Sequence, residues 1–214
     1  MRRDLLPNLV IVLGIMLLPL VWVPHRLMHP APWVAMAVGL VLLFSQPPLE
    51  RKETVSPTAE DRLSALGIYG AMVTAQLVSV MDFGFVRREG PEAASPLWVG
   101  AVVCTIAGLA FRIWAIRTLG RFFTANVRLL AGHRVVDDGP YSLVRHPSYT
   151  GAILTALGLA GCFGSGWGAL AVAALMLPAY AHRISIEERA LVAGLGEAYE
   201  RYRQRTRRLI PYVY

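Results

Sequence analysis

Ionisable side chains occur along this chain in narrow bands, and the runs between them are almost wholly apolar. Four of those runs, Leu5–Pro24, Pro30–Leu49, Leu63–Met81 and Ala93–Phe111, contain no Asp, Glu, Lys, Arg or His. Each approaches the ~20 residues that a helix needs to cross a bilayer. None shows the polar stripe that an outer helix of a soluble bundle would carry. The pattern predicts an all-α, polytopic membrane bundle with four spans.

A fifth run, Pro147–Ala181, is longer than one span and is broken by GCFGSGWG, Gly161–Gly168. Glycine clusters turn a chain rather than continue a helix. The run is therefore read as a C-terminal helical hairpin, with arms of roughly 12 and 15 residues that are short for full crossings. From Glu187 onward, Leu191, Val192, Leu195, Tyr199 and Tyr202 recur at helical spacing among arginines, which predicts an interfacial amphipathic helix.

Composition supports the membrane reading: 55% of the residues are hydrophobic and 16% charged, against about a quarter charged in soluble domains. The opening MRRDLLPNLVIVLG has the basic start of a secretory signal, but no small-x-small cleavage site follows, so it is kept as the first span. The net charge of +7 sits beside the spans, which suits anionic lipid headgroups and not nucleic acid. Arg2, Arg3, Arg51, Lys52, Arg62, the Arg117–Arg145 connection and the arginine-rich tail share one side, leaving Arg26, Arg87 and Arg88 on the other. Basic loops stay inside, so both termini are expected in the cytoplasm. The dominance of arginine over the single Lys52 suits a GC-rich prokaryotic source, hence a cell inner membrane. Cys104 and Cys162 fall inside apolar runs without metal-ligand spacing, and no metal is expected.

The chain divides by character into N-terminal transmembrane helices (1–116) and a C-terminal region (117–214) dense in polar groups near membrane depth. Such groups are expensive there, so their clustering points to chemistry. In DDGPYSLVRHPSYTG, Asp137–Gly151, Asp138-Gly139-Pro140 forms a turn. Pro147 starts the next helix at its favoured first position and biases His146 away from helical backbone. The free N–H groups of that helix start lie near His146, Ser148 and Tyr149. Beyond the hairpin, Arg183 and Glu187 stand four residues apart on one helical face. A short hairpin joins the two polar clusters and must bring them together.

The C-terminal half resembles the isoprenylcysteine carboxyl methyltransferase family of integral membrane enzymes. The likeness runs through FFTANV, GHRVVDDGPYSLVRHPSYTG and, after the hairpin, R…EE, LGEAYERY and RLIP, covering roughly Arg121 to Pro211 in order. The resemblance implies an S-adenosylmethionine-dependent methyltransferase with a cytoplasmic cofactor site. It implies cofactor contacts from Asn126, His133, Arg134, Val135, Val136, Tyr141, His146, Pro147, Tyr149 and Glu187. Arg183 is implied as a substrate contact, and Arg183, Arg145 and His146 as the catalytic set. The implied methyl acceptor is the carboxylate of a prenylated cysteine, or a similar lipophilic acid, entering from the bilayer.

That chemistry suits the residues. The cofactor carries a sulfonium, an amine and a carboxylate, so its pocket needs an acid, donors and an apolar wall together. A carboxylate meeting a sulfonium loses charge on the way to ester and thioether, which a dry site favours over water. The nucleophile is already ionised and needs no general base. Relatives of the same architecture methylate phospholipid amines or small thiols, and the motifs leave the acceptor open between these. Sterol-type reductases carry a similar RHP motif but continue as Asn-Tyr-x-Gly-Glu, whereas this chain reads SYTGA, with Ala152 in place of the acid. A non-enzymatic membrane scaffold is the remaining alternative.

Overall fold

The computed structural model describes residues 14, 18–45, 59–87, 90–124 and 132–211. Among these the chain is helical, and its one extended pairing is an isolated parallel bridge between Val144 and Arg207. Helix α1 spans Pro30–Ser45. Helix α2, Ala59–Met81, runs into a π turn at Asp82–Val86. Helix α3, Pro96–Leu119, is capped by Ser95, whose hydroxyl accepts from the Trp98 amide at 3.3 Å. Helices α4 (Pro147–Cys162) and α5 (Gly166–Leu195) are the arms of the hairpin, and α6 (Glu197–Arg205) follows.

Among the described residues, three helical stretches are long and apolar enough to cross a membrane: Glu60–Val86, Pro96–Phe122 and Gly166–Leu195. They carry exposed Leu63, Leu66, Leu97, Val103, Ile106 and Leu170, a surface suited to acyl chains. Helix α1 is apolar but has only 16 residues. Most of the expected span Leu5–Pro24 lies outside the described residues. Its described end winds as 3-10 turns at Leu18–Trp22 and Pro24–Met28, where Pro19 and Pro24 lack the N–H an α-helix would use.

The hairpin is taller than its uncharged length implies. Its second arm does not stop at Ala181 but carries the charged residues onward to Leu195 as one 30-residue stretch. This is possible because several of those charges find partners inside the bundle. At the other end, the tip at Gly164 rests on Arg87 and Pro91, just beyond the far end of α2. The hairpin therefore runs the full height of α2. Within α5 a π turn occupies Val172–Met176. Pro178 accounts for it, since its ring would clash with the Ala174 carbonyl of a regular helix and it has no N–H to donate.

Helices α3 and α4 make the most extensive contact in the bundle. A Cβ on Gly151 would lie 2.6 Å from the Gly108 carbonyl oxygen and 2.7 Å from the Arg112 amide; one on Gly108 would lie 2.6 Å from the Thr155 amide. Small residues let two backbones touch, the device by which helices associate where lipid removes the hydrophobic drive. This seam fixes α4, and with it His146 at its head. The expected amphipathic helix is divided, because Gly196, at φ +55°, ends α5 and α6 begins anew at Glu197.

Candidate active site

His146 precedes α4 at φ −124° and ψ 57°, outside the helix as the following proline requires. Its amide donates to the Arg208 carbonyl at 3.0 Å, and that of Arg145 to the Arg207 carbonyl at 2.7 Å. The Arg-His-Pro segment is thus sewn by its backbone to the segment after α6. Thr150 adds a side-chain bond to the Leu209 carbonyl at 2.7 Å, and the Tyr202 hydroxyl donates to the Tyr141 carbonyl at 2.7 Å.

On this frame three charged or polar side chains converge on Glu187. The Tyr149 hydroxyl and Arg183 Nε, the latter at 3.0 Å, both donate to its Oε1, while His146 Nδ1 stands 3.3 Å from Oε2. Glu188, one residue on, takes Arg145 Nε at 2.8 Å and Arg208 Nη2 at 2.9 Å, and faces His146 Nε2 at 3.5 Å. His146 therefore lies between two carboxylates. Burial alone would lower its pKa, but hydrogen bonds and charge from Glu187 and Glu188 outweigh burial and hold it above the ordinary value.

The aromatic wall is contiguous. The His146 and Tyr149 rings are parallel to within 4° with centroids 5.7 Å apart, and Tyr149 meets Tyr180 of α5 at 4.6 Å. Tyr141 is buried beside them, and burial, with Tyr202 and Glu187, pushes its phenol up. Pro147 is buried at the head of α4. His133, earlier in the chain, is half-buried against Phe122 at 4.5 Å between ring centroids, with its pKa lowered by burial. Arg134 is exposed, and Val135 and Val136 are half-buried. Asn126 lies outside the described residues.

The structure thus gathers Arg145, His146, Tyr149, Arg183 and Glu187 around one point. It adds residues that the sequence reading did not single out. Glu188 is the partner of Arg145, Arg208 secures it, and Asp61 and Ser64 of α2 hold Arg183. Glu188 had a local signal, standing beside Glu187 at the same hairpin exit. Asp61 had none, being 122 positions from its partner.

A family model for isoprenylcysteine carboxyl methyltransferases matches residues 101–193. Protein-S-isoprenylcysteine O-methyltransferase B of Arabidopsis thaliana is 31% identical over 155 residues, covering 71% of this chain and 79% of that protein. The chain belongs to the isoprenylcysteine carboxyl methyltransferase family. Within the same reach, a protein named cobalt-zinc-cadmium resistance protein CzcN, from Cupriavidus metallidurans, is 32% identical over 68% of this chain and 63% of its own length. The fold also matches the solved structure of a eukaryotic intramembrane Ras methyltransferase, isoprenylcysteine carboxyl methyltransferase. That likeness has a TM-score of 0.54 at 20% identity and covers 98% of this chain and 74% of that one.

Proposed function

We propose that this chain is a membrane methyltransferase that uses S-adenosylmethionine to esterify the carboxylate of a prenylcysteine or similar lipophilic acid. The observation that carries the reading is Glu187, a carboxylate held among Tyr149, His146 and Arg183 at the end of the hairpin.

The donor set fits that cofactor. Glu187, oriented by Tyr149, His146 and Arg183, offers an acid for its amine and sulfonium, and the parallel His146 and Tyr149 rings, with Tyr180 tilted against Tyr149, offer an aromatic wall. When bound, the cofactor supplies an electrophilic methyl group. Arg183 would bind and orient the acceptor carboxylate through directed N–H donors. Tyr141, Pro147, His133, Arg134, Val135, Val136 and Asn126 complete the cofactor region in this reading, and Arg145 sets His146 by way of Glu188. Exclusion of water from the buried cluster leaves the attacking carboxylate weakly solvated, which favours a step in which charge is lost. The reading places the protein in a cell inner membrane with both termini cytoplasmic, so that a soluble cofactor and a lipid-borne acceptor meet at the cytoplasmic surface.

The test is calorimetric titration of the detergent-purified protein with S-adenosylmethionine and S-adenosylhomocysteine, followed by methyl transfer to N-acetyl-farnesylcysteine. Binding with transfer establishes the carboxyl methyltransferase. Binding without transfer keeps the cofactor and moves the acceptor to phospholipid amines or thiols, and absence of binding overturns the reading.

A further inference from the structure

The family match begins at residue 101, yet the arginine expected to meet the acceptor is held from outside it, by the first turns of α2. Arg183 Nη1 donates to the Asp61 carboxylate, to the Asp61 carbonyl at 3.2 Å and to Ser64 Oγ at 2.9 Å. Ser64 in turn donates to the Asp61 carbonyl at 2.8 Å, which ties the two α2 residues into one unit. All three are buried: Arg183 is 3% exposed, Asp61 2% and Ser64 4%.

Two helices grip one planar group at different nitrogens. Glu187 takes Nε from within α5, and Asp61 with Ser64 takes Nη1 from α2. Because the guanidinium is rigid and its donors lie in a fixed fork, fixing Nε and Nη1 fixes its plane and the direction of its other N–H groups. Burying a carboxylate against a guanidinium carries a large desolvation cost and is a poor device for stability alone, since an apolar pair would pack as well. The arrangement instead serves direction. The Asp61 charge also cancels that of Arg183, so the arginine presents aimed donors without surplus positive charge beside a cationic cofactor.

We infer that Asp61, seconded by Ser64, is a positioning residue that aims Arg183 at the acceptor carboxylate. This rests on the reading of Arg183 given under Proposed function. It assigns α2 a part in the reaction.

The test compares wild type, Asp61→Asn, Ser64→Ala, Arg183→Lys and the Asp61→Asn/Arg183→Lys double variant in nanodiscs. S-adenosylmethionine affinity is expected to stay within about twofold, while kcat for N-acetyl-farnesylcysteine falls about tenfold or more in Asp61→Asn and about threefold in Ser64→Ala. The double variant should be no slower than Arg183→Lys alone, because Asp61 acts only through Arg183. Full kcat in Asp61→Asn, or losses that add in the double variant, would overturn the inference. Should Asp61→Asn fail to fold, Ser64→Ala decides on the same readouts. Nitrogen-15 NMR of the Arg183 side chain gives a readout independent of turnover. Separate, slowly rotating Nη signals in wild type should merge in Asp61→Asn, and unchanged signals would overturn the inference. If those signals merge while wild type methylates nothing, the positioning contact stands and the acceptor reading alone fails.

Discussion

Arg145 and Glu188 are 43 positions apart and meet Nε to Oε1 at 2.8 Å, with both side chains nearly sealed from solvent. The same guanidinium donates to the Arg203 carbonyl at 3.1 Å and to that of Thr206, and Arg208 closes on the other oxygen of Glu188. Glu188 is therefore the joint between the Arg-His-Pro segment, α5 and the segment after α6.

Glu188→Gln leaves Arg145 buried without its counter-charge, and a loss of about 3 kcal/mol of stability is expected. Thermal unfolding in detergent measures it. Asp137→Asn, which breaks an exposed pair with Arg205, should cost under about 1 kcal/mol. Equal shifts in the two variants would contradict the assignment.

Glu187→Ala should abolish binding of S-adenosylmethionine, whereas Arg183→Ala should spare binding and remove turnover. Calorimetry and methyl transfer on the same preparations separate the two effects. A Glu187 variant with ordinary cofactor affinity would refute the role given to that carboxylate.

His146 has a folded-state pKa above its ordinary 6.5, because Glu187 and Glu188 outweigh the effect of burial. Its stabilising contribution is accordingly complete below about pH 6.5 and is lost as pH rises through the folded value. Stability should decline through that window in wild type and stay flatter in His146→Gln. Parallel profiles for the two proteins between about pH 6 and 9 would exclude His146 as the titrating group.

Gly151→Val would press a branched side chain into the backbone of Gly108 and Arg112. Overpacking of this kind costs about 1–3 kcal/mol or more. Because the seam holds the head of α4, cofactor affinity should fall together with the melting temperature. An unchanged melting temperature would show that the helices can part there without penalty.

An acceptor that enters sideways from the bilayer gains from its lipid tail before it reaches Arg183. N-acetylcysteine thioethers with short alkyl chains should therefore show a much higher KM than the farnesyl compound. Equal turnover of the two would argue for entry from water.

Much of this site could be read before any coordinates because its parts flank one glycine-broken apolar run. His146 enters the hairpin and Glu187 leaves it, so proximity followed from connectivity. Asp61 was invisible for the opposite reason: an acid after a polar loop at the start of a span reads as interfacial, and only packing of α2 on α5 brings it to Arg183. The uncharged run understates the hairpin's height because the charged residues at 182–189 resemble the end of a span, whereas Arg183 and Glu188 are buried on partners. The stripe from Leu191 to Tyr202 keeps helical spacing across Gly196, so periodicity alone did not mark the break between α5 and α6.

The π turn at Val172–Met176 sets the angular phase of everything beyond it. A regular α-helix advances about 100° per residue, and a π turn absorbs one extra residue without adding a matching length of axis. Before the turn, Gly168 lies against Ser79 of α2; after it, Arg183 reaches Asp61 on the same helix while Glu187 reaches His146. Deleting a single residue between Val172 and Met176 would leave the span as apolar as before and Gly168 in place. Because that turn already holds the extra residue, the deletion would restore a regular helix and leave Arg183 and Glu187 near their present phase, with the Pro178 ring set against the carbonyl four residues before it. The same deletion in the regular helix between Ala179 and His182 would instead swing both side chains about 100° from their partners and dismantle the site.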